Sequence, residues 1–271
     1  MPTPAPRLLA SDLDGTLLGL DSQVSPVTVD ALKRARAAGI EVVAATGRSH
    51  WSALPRILPT ESIRWLIGSN GATLFDVEKG AVVQRRLIPV DHIVETVSAV
   101  TAEFPEVGIS WETPEGVHHT EQWERNRAAL GRPIPLEYQG RRRPFDPHAE
   151  QLVKLMLAHD RLSTYEWLDA LTPVVPHGLS ASTSGAAFVE VTRADANKGQ
   201  AVADLCATLG IDQADTIAFG DHSNDLSMLR WVGTGYAMAG ADDLVKGAAD
   251  AVAPPHHEHG VAQVIDALLG V

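Results

Sequence analysis

A chain of 271 residues, 45% of them hydrophobic, is long enough to bury a sizeable core as one large domain or two smaller ones. Its net charge of −12 argues against sequence-independent nucleic-acid binding, which needs a basic face, and no apolar run approaches the ~20 residues of a membrane span. The single cysteine, Cys206, excludes an internal disulfide; with no signal-peptide-like apolar stretch near Met1, it suits a reducing cytoplasm.

After a short proline-rich lead-in (Met1 to Pro6), Arg7 to Ser11 reads as a buried strand that ends in two carboxylates, Asp12 and Asp14. Gly15 then lets the backbone turn sharply. Ser25-Pro26 supplies an N-cap and a first-turn proline for a helix that Gly39 stops. Ile40 to Ala45 predicts a second strand running into Thr46-Gly47-Arg48, and Ser49 to Leu58 a second helix. Arg64 to Gly68 predicts a third strand ending at Ser69-Asn70-Gly71-Ala72, followed by a hairpin of Thr73 to Asp76 and Ala81 to Leu87. Alternating strands and helices predict an α/β fold with a doubly wound, Rossmann-like parallel sheet.

Near residue 85 the rhythm changes. Helices over Asp91 to Phe104, Gln122 to Leu130 and Ser163 to Leu171 mix with short strands at Val107 to Trp111, Gly116 to Thr120 and Leu152 to Ala158. Further strands are expected around Val174 to Ser182 and Ala187 to Thr192, with a loop over Gly131 to Pro147. This mixture predicts an α+β module inserted into the first domain. From Asn197 the original alternation returns, with helices at Lys198 to Leu209, Leu226 to Val232, Asp242 to Ala249 and Val261 to Leu269. Strands at Thr216 to Phe219, Gly235 to Met238 and Ala251 to Ala253 separate them.

Parallel strands of one sheet end on one face, so Asp12, Asp14, Thr46, Asp221 and Asp225 converge although they are far apart in sequence. Two carboxylates ~4 Å apart repel by about 4 kcal/mol at an effective dielectric near 20. Such a cluster needs a counter-cation, and hard oxygen donors favour Mg²⁺ over Zn²⁺. A hydroxyl, an ammonium (Lys198) and a divalent ion around one carboxylate suit phosphoryl transfer, which is mostly positioning and neutralisation of charge. Alone, Thr46 would read as a turn residue and Asp12-Leu13-Asp14-Gly15 as a turn after a strand.

Four ordered motifs carry a family resemblance: Asp12-Leu13-Asp14-Gly15-Thr16-Leu17, Ala45-Thr46-Gly47-Arg48, Asn197-Lys198-Gly199 and Gly220-Asp221-His222-Ser223-Asn224-Asp225. Together the chain resembles the haloacid dehalogenase-like hydrolases, most closely the Cof-type phosphatases. The resemblance implies a core at residues 1–84 and 190–271, with a substrate-specificity cap at 85–189. It also implies Asp12 as nucleophile, Asp14 as acid and then base, and Thr46, Gly47, Asn70, Lys198 and Asn224 as phosphate-binding groups. Asp12, Asp221, the backbone carbonyl of Asp14 and Asp225 would hold Mg²⁺, with a supporting role for Asp225 left equally open. The expected activity is hydrolysis of a small phosphorylated metabolite, by a monomer or homodimer without nucleic-acid or membrane partners. Transfer to a second alcohol, as in a phosphomutase or phosphotransferase, and binding without turnover are the alternatives.

Other conspicuous groups have plainer readings. His256-His257-Glu258-His259 follows Pro254-Pro255 in a loop and matches no common zinc spacing. Arg141-Arg142-Arg143 reads as a solvated run, and at most one of His118 and His119 can point to a given face of their strand. Trp111, Trp123 and Trp167 are expected in the core of the inserted module, and Cys206 in a helix packed on the first domain.

Overall fold

The computed structural model describes residues 6–132, 140–183 and 186–271. The first five residues of the lead-in and part of the predicted 131–147 loop lie outside them. In chain order the elements begin with β1 (Leu8–Ser11), α1 (Pro26–Ala37), β2 (Glu41–Ala45), α2 (His50–Ile57), β3 (Trp65–Gly68), β4 (Thr73–Asp76) and β5 (Ala81–Arg85). Next come α3 (Val90–Glu103), β6 (Gly108–Thr113), β7 (Gly116–His119), α4 (Glu121–Ala129), β8 (Lys154–Ala158), α5 (Thr164–Leu171), β9 (Leu179–Ser182) and β10 (Val189–Arg193). The chain closes with α6 (Lys198–Leu209), β11 (Thr216–Gly220), α7 (Leu226–Trp231), β12 (Thr234–Met238), α8 (Asp243–Ala248), β13 (Ala251–Ala253) and α9 (Gly260–Leu269). Two compact units result, one of the residues up to Gln84 together with Asn197–Val271, the other of Arg85–Ala196. No helix among the described residues is long and apolar enough to cross a membrane.

The first unit is an α/β layer structure around an eight-stranded sheet in the order β13-β12-β11-β1-β2-β3-β4-β5. Every pairing from β13 to β3 is parallel, and β4 turns back antiparallel to β3. β1 lies inside the sheet and all four of its residues are buried. Side chains alternate across a strand, so Leu9 joins Ala31, Leu32 and Ile265 under α1 and α9, whereas Leu8 and Ala10 join Val202, Leu205 and Met228 under α6 and α7. Burying each such leucine contributes roughly 1.5–3 kcal/mol. Helix ends follow local chemistry: Ser25 accepts from Thr28 N before Pro26, and Asn197 accepts from Gln200 N before Lys198. Cys206 is buried on the inner face of α6, as its sequence context implies.

The second unit carries an antiparallel sheet in the order β7-β6-β8-β10-β9. Trp111 and Trp167 pack with Ile93, Leu157 and Val191 in its main core, and Trp123 packs with Met156 in a smaller cluster. The expected strand from Val174 is shorter than predicted. Val174 and Val175 donate back to the Leu171 carbonyl, prolonging the turn after α5, and β9 starts only at Leu179. β5 likewise ends at Arg85 rather than Leu87. The arginine run is exposed but not idle: Arg142 meets Glu124 and Arg143 meets Glu150.

Candidate active site

The carboxyl ends of β1, β2, β3 and β11 position the site, as expected for an open α/β sheet. Asp12 follows β1 and is held by its backbone N–H donating to the Phe219 carbonyl of neighbouring β11. Lys198 is the first residue of α6, with its ammonium inside the protein. It donates to Asp12 Oδ1 at 2.6 Å and to Asp225 Oδ1 at 2.6 Å. All three side chains are buried. Asp225 ends a short 3₁₀ turn (Ser223–Asp225), and its second oxygen accepts from the backbone N–H groups of Asp221 and His222, each at 3.0 Å.

Asp221 follows β11, where Thr16 Oγ1 donates to its Oδ1 at 2.9 Å. Oxygens of Asp12, Asp221 and Asp225 lie within 4.8 Å of one another. Gly15 makes this approach possible: at φ +82 it has a backbone that side-chain-bearing residues rarely adopt, and a Cβ there would collide with the Asp221 carboxylate.

The electrostatics follow from burial and crowding. Burial raises the pKa of Asp12, the charges of Asp225 and Asp221 raise it further, and Lys198 only partly opposes them. Asp221 is raised by burial and by Asp225, against the Thr16 hydrogen bond and Lys198. For Lys198 burial disfavours the charge, but Asp12 and Asp225 outweigh it and shift the pKa upward. One ammonium therefore faces three carboxylates, a local excess of negative charge. Oxygen donors with that excess are a group that could hold a metal ion. His222 belongs to the same loop, but its Nδ1 lies 3.2 Å from Ser223 Oγ.

The remaining predicted residues form two smaller groups. Thr46 and Gly47 are buried after β2, and Thr46 Oγ1 accepts from Arg48 N at 3.1 Å, the turn geometry its type suggests. Asn70, after β3, donates its backbone N–H to the Thr46 carbonyl, and its side-chain oxygen accepts from Asn224 Nδ2 at 3.0 Å. The Asp14 carboxylate stands apart from the buried cluster. It is exposed and pairs with Arg48, Nε to Oδ2 at 2.7 Å and Nη2 to Oδ1 at 2.5 Å. Thr16 and Arg48 thus act at the site without having been singled out from sequence. Both lie within the quoted motifs, but spacing alone names no partner for either.

A family model described as haloacid dehalogenase-like hydrolase matches residues 9–265. The chain is 32% identical to phosphatase YwpJ of Bacillus subtilis, over 97% of this chain and 100% of that protein. It is 29% identical to pyridoxal phosphate phosphatase YbhA of Escherichia coli, over 96% and 97% respectively. Among solved structures, the sugar phosphatase BT4131 superposes with a TM-score of 0.81 at 25% identity, covering 98% of this chain and all of that one.

Proposed function

We propose, because this chain belongs to the haloacid dehalogenase-like hydrolase family, that it is a Mg²⁺-dependent phosphatase that hydrolyses a small phosphorylated metabolite through an aspartyl-phosphate. The observation that carries the reading is the buried Lys198 ammonium between Asp12 and Asp225, with Asp221 completing the cluster. Asp12 attacks phosphorus, forming an O–P bond as the bond to the leaving alcohol breaks. Asp14 gives its proton to the departing oxygen, then takes one from the water that attacks the aspartyl-phosphate and releases inorganic phosphate.

Lys198 offsets charge on Asp12 and on the phosphoryl oxygens. Thr46 Oγ1 accepts from Arg48 N, which leaves its hydroxyl hydrogen to serve a phosphate oxygen, beside Gly47. Asn70, whose backbone N–H donates to the Thr46 carbonyl, and Asn224, bonded to it, would contribute beside them. The side chains of Asp12 and Asp221 and the backbone carbonyl of Asp14 would hold the Mg²⁺ ion. Asp225, whose oxygens already accept from Lys198 and two backbone N–H groups, supports them. When bound, the ion would supply positive charge beside the phosphoryl oxygens.

The unit of residues up to Gln84 with Asn197–Val271 serves as the catalytic core in this reading, and Arg85–Ala196, which takes in β10, as the unit that selects the organic part of the substrate. The relatives named for pyridoxal phosphate and for sugars act on small phosphate esters, which supports that substrate class. The buried Cys206 thiol suits a reducing cytoplasm. The test is release of inorganic phosphate from a panel of phosphorylated metabolites at saturating Mg²⁺. Turnover of a narrow set, silenced by EDTA, is expected. Silence of the folded, Mg²⁺-loaded protein across the panel would overturn hydrolysis, and full activity without divalent ions would overturn the metal's role.

A further inference from the structure

We infer that Arg48 is the positioning residue of Asp14, fixing the direction in which that carboxylate meets the leaving group. The inference rests on the acid–base role proposed for Asp14. Two parallel hydrogen bonds, at 2.7 and 2.5 Å, bind both carboxylate oxygens to one planar guanidinium. Such a fork sets the plane of a carboxylate as well as its place, which a point charge cannot do.

The guanidinium is itself anchored. Its Nη1 donates to Ser52 Oγ on α2 at 3.3 Å, its backbone N–H reaches Thr46 Oγ1, and its carbonyl accepts from Ser69 N at 2.8 Å. Arg48 is therefore tied to the ends of β2 and β3 and to α2, all parts of the same unit as β1. Asp14 lacks such support of its own. Its side chain is 49% exposed and bonds to no described side chain but Arg48, while Asp12, two residues earlier, is buried. The fork also takes one lone pair from each oxygen and leaves the others able to hold the transferred proton.

Leaving-group dependence tests this. Phenyl phosphate loses a poor leaving group that needs a proton, whereas p-nitrophenyl phosphate of nearly the same shape loses one that departs unaided. We expect Arg48→Ala to lower kcat/KM for phenyl phosphate by about 100-fold, as misplacement of a reacting group does, and for p-nitrophenyl phosphate by at least tenfold less. Arg48→Lys should fall between wild type and Arg48→Ala, and it carries the same comparison if the alanine variant does not fold. In an Asp14→Asn background, Arg48→Ala should add less than about a twofold loss. Equal losses on the two esters, no loss, or losses that multiply with Asp14→Asn would overturn the role of Arg48. An Asp14→Asn enzyme that keeps wild-type activity on phenyl phosphate would instead overturn the acid–base role beneath it.

Discussion

The side-chain amide of Asn224 donates to that of Asn70 across 3.0 Å, joining two loops whose positions differ by 154 in sequence. Those loops follow β11 and β3, and β1 and β2 lie between these strands in the sheet, so the bond spans the mouth of the site. Asn70 sits in a run of three left-handed residues, with φ of 52 at Ser69, 57 at Asn70 and 101 at Gly71. Side-chain-bearing residues in that region cost of order 1–3 kcal/mol each, so the loop persists only where neighbours hold it. The Thr46 and Arg48 carbonyls do so by accepting from Asn70 N and Ser69 N.

Asn224→Ala removes one side of this bridge. It should destabilise the protein by about 1 kcal/mol, the usual worth of one hydrogen bond, as read by urea unfolding. Because the same group belongs to the proposed phosphate site, KM should rise in the same variant. A variant of unchanged KM would remove Asn224 from substrate binding.

Lys198→Met leaves Asp12 and Asp225 buried without their ammonium. Breaking a buried ion pair from one side costs about 3–5 kcal/mol, and turnover should vanish with it. Lys198 opposes the upward shift of Asp12, so without it Asp12 takes up a proton more readily and the buried charge is relieved at lower pH; the deficit should therefore be larger at pH 8 than at pH 6. Denaturant midpoints at the two pH values check this, and a deficit larger at pH 6 would contradict it.

Asp12 and Asp221 have pKa values raised by burial and then by neighbouring carboxylates, so the folded protein without bound cation holds protons there more tightly than the unfolded chain. Their contribution to stability is present below the ordinary aspartate range, near about pH 4, and is lost as pH rises through the folded values. The Mg²⁺ of the proposed reaction would compete with those protons. The rise in melting temperature on adding Mg²⁺ should therefore be larger at pH 7 than at pH 5, and free ion at 100 times Kd adds about 2.7 kcal/mol. A shift equal at both pH values would contradict the carboxylate site.

Cys206 is buried in α6, and burial pushes its thiol up to about 11. Alkylation at pH 8 should therefore follow global unfolding, with native protein labelled at least about 100-fold more slowly than the unfolded chain. Rapid labelling of the native protein would show α6 to be loose.

The strand ends were legible in the sequence because apolar runs stopped at Asp12, Thr46 and Asp221, and glycines or prolines closed the helices between them. What spacing could not supply was pairing across the sheet. Thr16 and Asp221 are 205 positions apart, and only β1 lying beside β11 makes them neighbours. The bond between Asp14 and Arg48 likewise depends on β1 lying beside β2. Spacing also left Asp225 as ligand or support, because that choice depends on where its oxygens already point. At Val174 and Val175, β-branched residues that suit a strand, hydrogen bonds back to Leu171 prevailed over intrinsic preference.

Asp12 carries the phosphoryl group in the proposed reaction, and phosphate release by wild type and Asp12→Asn, compared at saturating Mg²⁺, tests that role. The change keeps the size of the side chain and replaces a buried carboxylate with an amide that cannot act as the nucleophile. Activity should fall by at least about 1,000-fold, with the cooperative thermal transition retained. A folded Asp12→Asn protein that releases phosphate at the wild-type rate would contradict the account.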